Sequence, residues 1–437
     1  MRIGLISPKG VAMGTNTENK RTADIYNQLE GIQSLKDLMS CPNSPLLTIA
    51  AIIEPYFDEI EFIDEEIEEI DFDRHYDMIA MSFMTQQASR AFTLAKIFRK
   101  KNIYLVAGGM HPTNSPEETG KYFNTVFIGE GELTWPEFMK DYLKCKPKRI
   151  YKNTSVIDMD TIPLPRYDLL KFDRYKTIPV QISRGCPHNC EFCASTKVYG
   201  PTYRHKSVHK VIEEIKLIQK YKRIPNIYFT DDNMLVNTKF AIELLHEFKR
   251  LNFRWMTHTD ISIADNDEIL ELLYDAGCRK VVIGFESLNP IALKHLEKWK
   301  YKRLSTYGES IQKIQSHRVG VWGTFIVGLD DDDTAVFQRV VDFTNRNHLY
   351  GAMISVPTPF PGSRLYERLE REGRILTKHW GNYTLWNVVV QPANMTVEEL
   401  QKGFEFTLKT IYSEKAVTRR REYFKNIFLK YRRGISD

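Results

Sequence analysis

The sequence lacks a disulfide framework. Its 437 residues carry six cysteines, too few and too unevenly placed to cross-link a chain of this length, so reduced thiols or an inorganic site are the expected use. It lacks any run approaching the roughly 18 apolar residues of a membrane span. The stretch Ile3-Gly4-Leu5-Ile6 is too short for a signal peptide before the turn at Ser7-Pro8-Lys9-Gly10, and cytoplasmic residence is the expectation. A dominant charge is missing as well. The 61 Lys and Arg face 56 Asp and Glu, a net charge of +5, so charge alone does not indicate nucleic acid as a partner. The run Arg419-Arg420-Arg421 is read as a solvated face of a terminal helix.

What is present is alternation. The length suggests two domains. Over residues 1–145, strand patterns at 2–7, 59–64, 77–83, 103–107 and 125–128 alternate with helical patterns at 45–57, 88–100 and 133–143, which predicts an α/β, doubly wound parallel sheet. The turns after its strands, among them Gly108-Gly109-Met110-His111 and Gly129-Glu130-Gly131-Glu132, would line the carboxyl edge, where such sheets bind ligands. A connector over 146–175, containing Ile162-Pro163-Leu164-Pro165, separates this from a second unit. There, over 176–365, strand patterns at 178–183, 226–230, 253–257, 280–285, 321–327 and 352–356 predict a partial (β/α)6 barrel, short of the closed eight-fold form. Residues 366–437 read as a helical extension, with helices at 395–412 and 415–431.

Three cysteines fall within eight residues: Cys186-Pro187-His188-Asn189-Cys190-Glu191-Phe192-Cys193, on the loop after the first barrel strand. Three thiolates so spaced can ligate three irons of a cubane and leave the fourth iron without a protein ligand. An amino acid can chelate that open iron through amine and carboxylate, as the methionine part of S-adenosylmethionine would. An electron passed into the sulfonium then breaks a carbon–sulfur bond and yields a 5′-deoxyadenosyl radical. Zinc is the competing metal, but zinc sites usually take four closed ligands from two pairs, whereas Cys41, Cys145 and Cys278 each stand alone.

This motif, with Phe192 in the aromatic position before the last cysteine, resembles the signature of the radical S-adenosylmethionine superfamily. The resemblance implies that Cys186, Cys190 and Cys193 hold a 4Fe-4S cluster and that Phe192 lies against the adenine. It assigns the cofactor's amino group to Asp231 or Asp232 of Thr230-Asp231-Asp232-Asn233, where the superfamily often has Gly-Gly-Glu. It assigns ribose hydroxyls to Glu286 and Ser287, and support of the adenine to the segment beginning Gly323 and containing Gly328. The competing reading for each is a polar residue satisfying a strand end or a helix start.

The domain order resembles the cobalamin-binding-domain subgroup, and in particular the hopanoid methylase branch, through Gly108-Gly109-Met110-His111-Pro112, Phe127-Ile128-Gly129-Glu130-Gly131-Glu132 and Pro357-Thr358-Pro359-Phe360-Pro361-Gly362-Ser363. This implies a Rossmann-like, cobalamin-binding-type first domain, with cobalamin at its carboxyl edge. The Asp-x-His-x-x-Gly motif that supplies a cobalt-ligating histidine elsewhere is absent. Asp73-Arg74-His75-Tyr76-Asp77-Met78 lacks the glycine and precedes a strand, and His75 is read as a surface residue.

The implied activity is cobalamin-dependent C-methylation of a small molecule, sugar or lipid, fed by an electron donor such as flavodoxin or ferredoxin. Cobalamin-independent radical dehydration or deoxygenation of a polyol or aminosugar is the alternative, and an iron–sulfur sensor is a second. His258 and Asp260, two apart at the end of the third barrel strand, share a face and are the candidate catalytic contacts. A satisfied strand-end histidine is the competing reading.

Overall fold

The computed structural model describes residues 1–10, 24, 27, 29, 41–188, 190–296 and 298–432. Asn189 of the cysteine motif lies outside the described residues.

Six parallel strands form the first sheet: β1 Arg2–Ser7, β2 Glu59–Asp64, β3 Met78–Ser82, β4 Tyr104–Gly108, β5 Thr125–Ile128 and β6 Ile150–Lys152, in the order β2-β1-β3-β4-β5-β6. The inner strands β1, β3, β4 and β5 read as near-continuous apolar runs because both faces are covered. The pleat sends alternate side chains to opposite cores. Met78 and Ala80 join Ile3, Leu5, Leu47 and Phe138 on one face, while Ile79 and Met81 join Ile6, Ala91 and Leu94 on the other. Each such Ile or Leu contributes about 2 kcal/mol by leaving water. The strand order reverses between β1 and β3, so the ends Ser7 and Ser82 flank the switch point where open α/β sheets bind ligands. The last strand, β6, comes from the segment expected to be connector and pairs with β5.

Two tyrosines stitch that segment down. Tyr167 Oη donates to Glu214 at 2.7 Å and Tyr175 Oη to Asp64 at 2.7 Å, one toward each sheet. Burial raises the Asp64 carboxyl.

The second sheet contains β7 Ile178–Val180, β10 Asn226–Phe229, β11 Arg254–Thr259, β12 Cys278–Glu286, β13 Gly320–Ile326 and β14 Gly351–Ser355, all parallel and adjacent in chain order. With no reversal, every carboxyl end gathers round one mouth, the geometry of a partial barrel. Helices Val208–Tyr221, Thr238–Phe248 and Asp267–Asp275 begin at side-chain caps, Ser207, Asn237 and Asn266, which satisfy otherwise orphaned N–H groups. The expected strand 178–183 is interrupted. After Val180 the chain leaves the sheet, and β8 Ser183–Arg184 pairs antiparallel with β9 Arg204–His205.

In the carboxy-terminal segment, helix Arg364–Arg371 buries Leu365 and Leu369 beside Ile79 and Met81 of the first sheet's second core. Helices Val397–Ile411 and Glu414–Arg432 follow. The arginine run is not wholly solvated: Arg420 is buried and its guanidinium donates to Ile411 O at 2.8 Å, at the end of the preceding helix, where a cation meets the negative end of the dipole. Among the described residues no helix is long and apolar enough to cross a membrane.

Candidate active site

The cysteine loop is an excursion closed at its base by the β8–β9 ladder, with Ser183 opposite His205 and Arg184 opposite Arg204. It starts at Gly185, with φ +85°, where a Cβ would stand 2.2 Å from Thr202 O. Only glycine allows the returning strand so close. Cys186, Cys190 and Cys193 are half-buried, and Cys193 N donates to Cys190 O at 3.2 Å. Among the described residues no three His, Cys, Asp or Glu side chains converge on a point one ion could fill. A cubane does not require that, because each thiolate binds a different iron. Three soft donors on one short, glycine-hinged loop at the barrel mouth therefore fit an iron–sulfur cluster.

Two sets of charges hold this loop. From the first sheet's carboxyl edge, Glu130 accepts from Arg184 Nη1 at 2.6 Å and from Arg204 Nη1 at 3.2 Å, and Glu132 accepts from Arg184 Nη2 at 2.6 Å. Side-chain exposure is 11% for Arg184, 7% for Glu130 and 11% for Glu132. The Arg184 guanidinium also faces the Tyr199 ring, 5.5 Å from its centroid. From the other side, Leu365 N donates to Glu191 O at 3.0 Å, and Arg368 Nε to Glu191 Oε1 at 2.7 Å.

A cavity of about 270 Å³ opens beside the loop, lined by Phe192, Ala292, Leu296, Gly328, Leu329 and Pro357 among others. Phe192 and Gly328 both line it. Gly323 does not. Its missing side chain would meet Phe325, Leu349 and Phe285, on the face of β13 turned to the helix layer, so it packs the wall rather than touching the cavity. The motif alignment gives its place in the strand but not the parity of the pleat.

Asp231 and Asp232 lie in the loop just past β10. Asp231 is buried and accepts from Ile182 N at 3.1 Å, from Ser183 N and from Ser183 Oγ at 2.5 Å, so one of its oxygens fixes the start of the cysteine loop. The other, Oδ2, is buried without a hydrogen-bond partner. Burial pushes this carboxyl up to about 7, against the hydrogen bonds from Ser183. Asp232 is likewise raised by burial, opposed by Ser195.

Glu286 follows a bulge in β12 and has φ +62°. A side chain at Gly284 would sit 2.1 Å from Glu286 Oε1, so glycine there leaves room for the carboxylate to turn back toward Lys300 Nζ, 3.2 Å away. Ser287 is buried, and its Oγ accepts from Asn289 N at 3.0 Å, which makes it a turn cap ahead of helix Pro290–Leu296.

His258 Nε2 meets Tyr228 Oη. Burial holds the imidazole down to about 4, so it is a neutral hydrogen-bonding group near neutral pH. Asp260 lies just past β11. Burial would raise its carboxyl, but His188, Ser262 and Asn233 outweigh that and hold it well below the usual range. Asn233 Nδ2 donates to it at 2.7 Å and Ser262 N at 2.8 Å. The two therefore take different partners despite their spacing.

Sequence reasoning missed His188. Its ring stacks on Trp299 with centroids 5.0 Å apart, and its buried Nε2 stands 4.0 Å from Asp260 Oδ2. Its place between two cysteines was the available signal. His75, 82% exposed in its side chain, precedes β3 at the amino end of that strand, far from the edge that would bind a ligand.

Residues 180–344 match the radical SAM superfamily, and residues 363–434 match a domain of unknown function, DUF4070. The chain is 29% identical over 385 residues to bacteriochlorophyllide d C-12(1)-methyltransferase of Chlorobaculum tepidum, covering 86% of this chain and 83% of that protein. It is 30% identical over 353 residues to an uncharacterized methyltransferase of Pyrococcus horikoshii, covering 75% and 76%. The fold is similar to that of TsrM, a radical S-adenosylmethionine methyltransferase from Kitasatospora setae whose structure has cobalamin and a [4Fe-4S] cluster bound, with TM-score 0.63, 14% identity and coverage of 85% and 75%. The chain belongs to the radical SAM superfamily. It is an enzyme of the kind that uses an iron–sulfur cluster and S-adenosylmethionine.

Proposed function

We propose that the chain is a radical C-methyltransferase that binds cobalamin at the carboxyl edge of the first sheet and methylates a small molecule, sugar or lipid in the barrel. One observation carries this reading: Arg184 and Arg204, at the base of the cysteine loop, bind Glu130 and Glu132, on the carboxyl-edge turn of the first sheet. The two ligand-binding edges are thereby joined at the point where a methyl carrier and a radical source need to face each other. The methyltransferase relatives, similar over most of the chain, support the same reaction class.

When held by Cys186, Cys190 and Cys193, the cluster supplies the electron that cleaves S-adenosylmethionine. Phe192 and Gly328 border the cavity for the nucleoside, and Asp231, with its unsatisfied oxygen, is the acceptor for a donor group of the cofactor. When bound, cobalamin supplies the methyl group. The turns at Ser7–Gly10, Ser82–Thr85 and Gly108–Gly109 would hold it at the switch point. No histidine is assigned to cobalt, in keeping with the position of His75. Within the barrel, the neutral His258 and the ionised Asp260 offer a substrate one hydrogen-bonding group and one fixed negative charge.

The test is anaerobic purification with cobalamin supplied during expression, then incubation with reductant, S-adenosylmethionine and candidate acceptors. Bound corrinoid and substrate-dependent S-adenosylhomocysteine are expected. A corrinoid-free protein of full activity, or turnover giving 5′-deoxyadenosine with no S-adenosylhomocysteine, would overturn the reading.

A further inference from the structure

The cavity beside the cysteine loop is not walled by the barrel alone. Arg368 and Arg374, from the segment that follows the barrel, line it together with Glu191 and Asp330. Glu191 stands between Cys190 and Phe192, and Asp330 comes two residues after Gly328. These two carboxylates therefore come from different elements, the cysteine loop and the loop after β13.

Arg368 reaches both. Its Nε and Nη2 meet the two Glu191 oxygens at 2.7 and 3.3 Å, and its Nη1 meets Asp330 Oδ2 at 2.6 Å. Arg374 Nη2 takes the second Asp330 oxygen at 2.6 Å, and Asn394 Nδ2 donates to Asp330 O at 2.5 Å. The helix presenting Arg368 is itself fixed: Ser363 caps it through Tyr366 N at 3.1 Å, and Leu365 and Leu369 are buried on either side of the arginine in sequence.

A planar fork can span two carboxylates in a defined geometry, which an ammonium cannot. The side chains of Arg368, Glu191 and Asp330 are 28%, 28% and 37% exposed, so screening leaves these pairs little net stability. Their consequence is geometric.

We propose that Arg368 is a positioning residue: acting from the carboxy-terminal segment, it fixes the cysteine loop against the β13 loop at the cavity lining, and so sets the affinity for S-adenosylmethionine. This rests on reading the cavity as the nucleoside's site. Tightness in that site is then a property of the 363–434 segment as well as of the barrel.

The experiment uses the full chain, reconstituted anaerobically, with iron content, Tm and the change in the reduced cluster's paramagnetic resonance spectrum on titrating S-adenosylmethionine. Arg368→Gln and Arg368→Lys should keep iron and Tm near the parent values while weakening S-adenosylmethionine about tenfold, with KM rising more than kcat falls. Glu191→Gln should do the same, and the double variant Arg368→Gln with Glu191→Gln should lose no more than either alone. Leu296→Trp, which fills the cavity from another wall, tests the underlying assignment by abolishing the spectral change. If Leu296→Trp abolishes it and the Arg368 variants bind within twofold of the parent, this inference alone fails. Loss of iron in both Arg368 variants would also overturn it, by making the residue structural. If Leu296→Trp binds normally, the cavity assignment falls and takes the inference with it.

Discussion

The two sheets have the same number of parallel strands and opposite habits. In the first the chain steps from β1 out to β2 and then returns to β3 on the other side, leaving one crevice at the reversal. In the second the strands follow one another in order, and all their loops converge on a single mouth. The first topology suits a flat cofactor laid on an edge, and the second suits a reaction enclosed in a ring. The Arg184–Glu130–Glu132 network ties the carboxyl edge of the first to the cysteine loop of the second.

Replacing Cys186, Cys190 and Cys193 together by alanine separates the sheets most sharply. Iron and S-adenosylmethionine cleavage should both be lost, while corrinoid binding to the first sheet persists, as absorbance will report. Loss of both cofactors would mean that the sheets do not act as separate binding units. Next in size, enzyme prepared without cobalamin should cleave S-adenosylmethionine to 5′-deoxyadenosine yet give no methylated product by mass spectrometry. Methylation at the full rate would remove the first sheet from the chemistry.

Glu130→Gln combined with Glu132→Gln acts on the junction itself. It leaves the Arg184 guanidinium buried without a counter-charge and should cost about 3 kcal/mol in denaturant unfolding, with methyl transfer falling more than S-adenosylmethionine cleavage. The smallest effect belongs to His258, inside the second sheet alone. Its imidazole is held at about 4 when folded, against 6.5 ordinarily. Between those values the unfolded chain takes up a proton that the folded one refuses, so this group's contribution is fully present above pH 6.5 and is lost as pH falls toward 4. Tm measured across that window should drop less in His258→Gln than in the parent.

Most of the scaffold was legible in the sequence, because long β-branched runs separated by amphipathic stretches have only one common parallel solution. The pieces that escaped are short. β6 has three residues, and β8 and β9 have two each, too few to show a period. In the site, the three thiols and Phe192 could be proposed from the sequence because their spacing within eight residues is itself the motif. Gly323 was misplaced because its position in the strand was known and its face was not. Arg368 reaches Glu191 across 177 residues, and Arg184 reaches Glu130 across 54. Both are surface-type residues in sequence, and only the fold supplies their partners.

All the chemistry proposed would start from one loop of three thiols holding a cluster whose open iron receives S-adenosylmethionine. The most direct measurement is paramagnetic resonance of the anaerobically reconstituted, reduced protein before and after that cofactor is added, alongside iron and sulfide analysis. A four-iron, four-sulfide complement whose signal shifts on addition, with 5′-deoxyadenosine formed, is the predicted result. Protein that takes up no iron, or whose signal is indifferent to the cofactor, would contradict it.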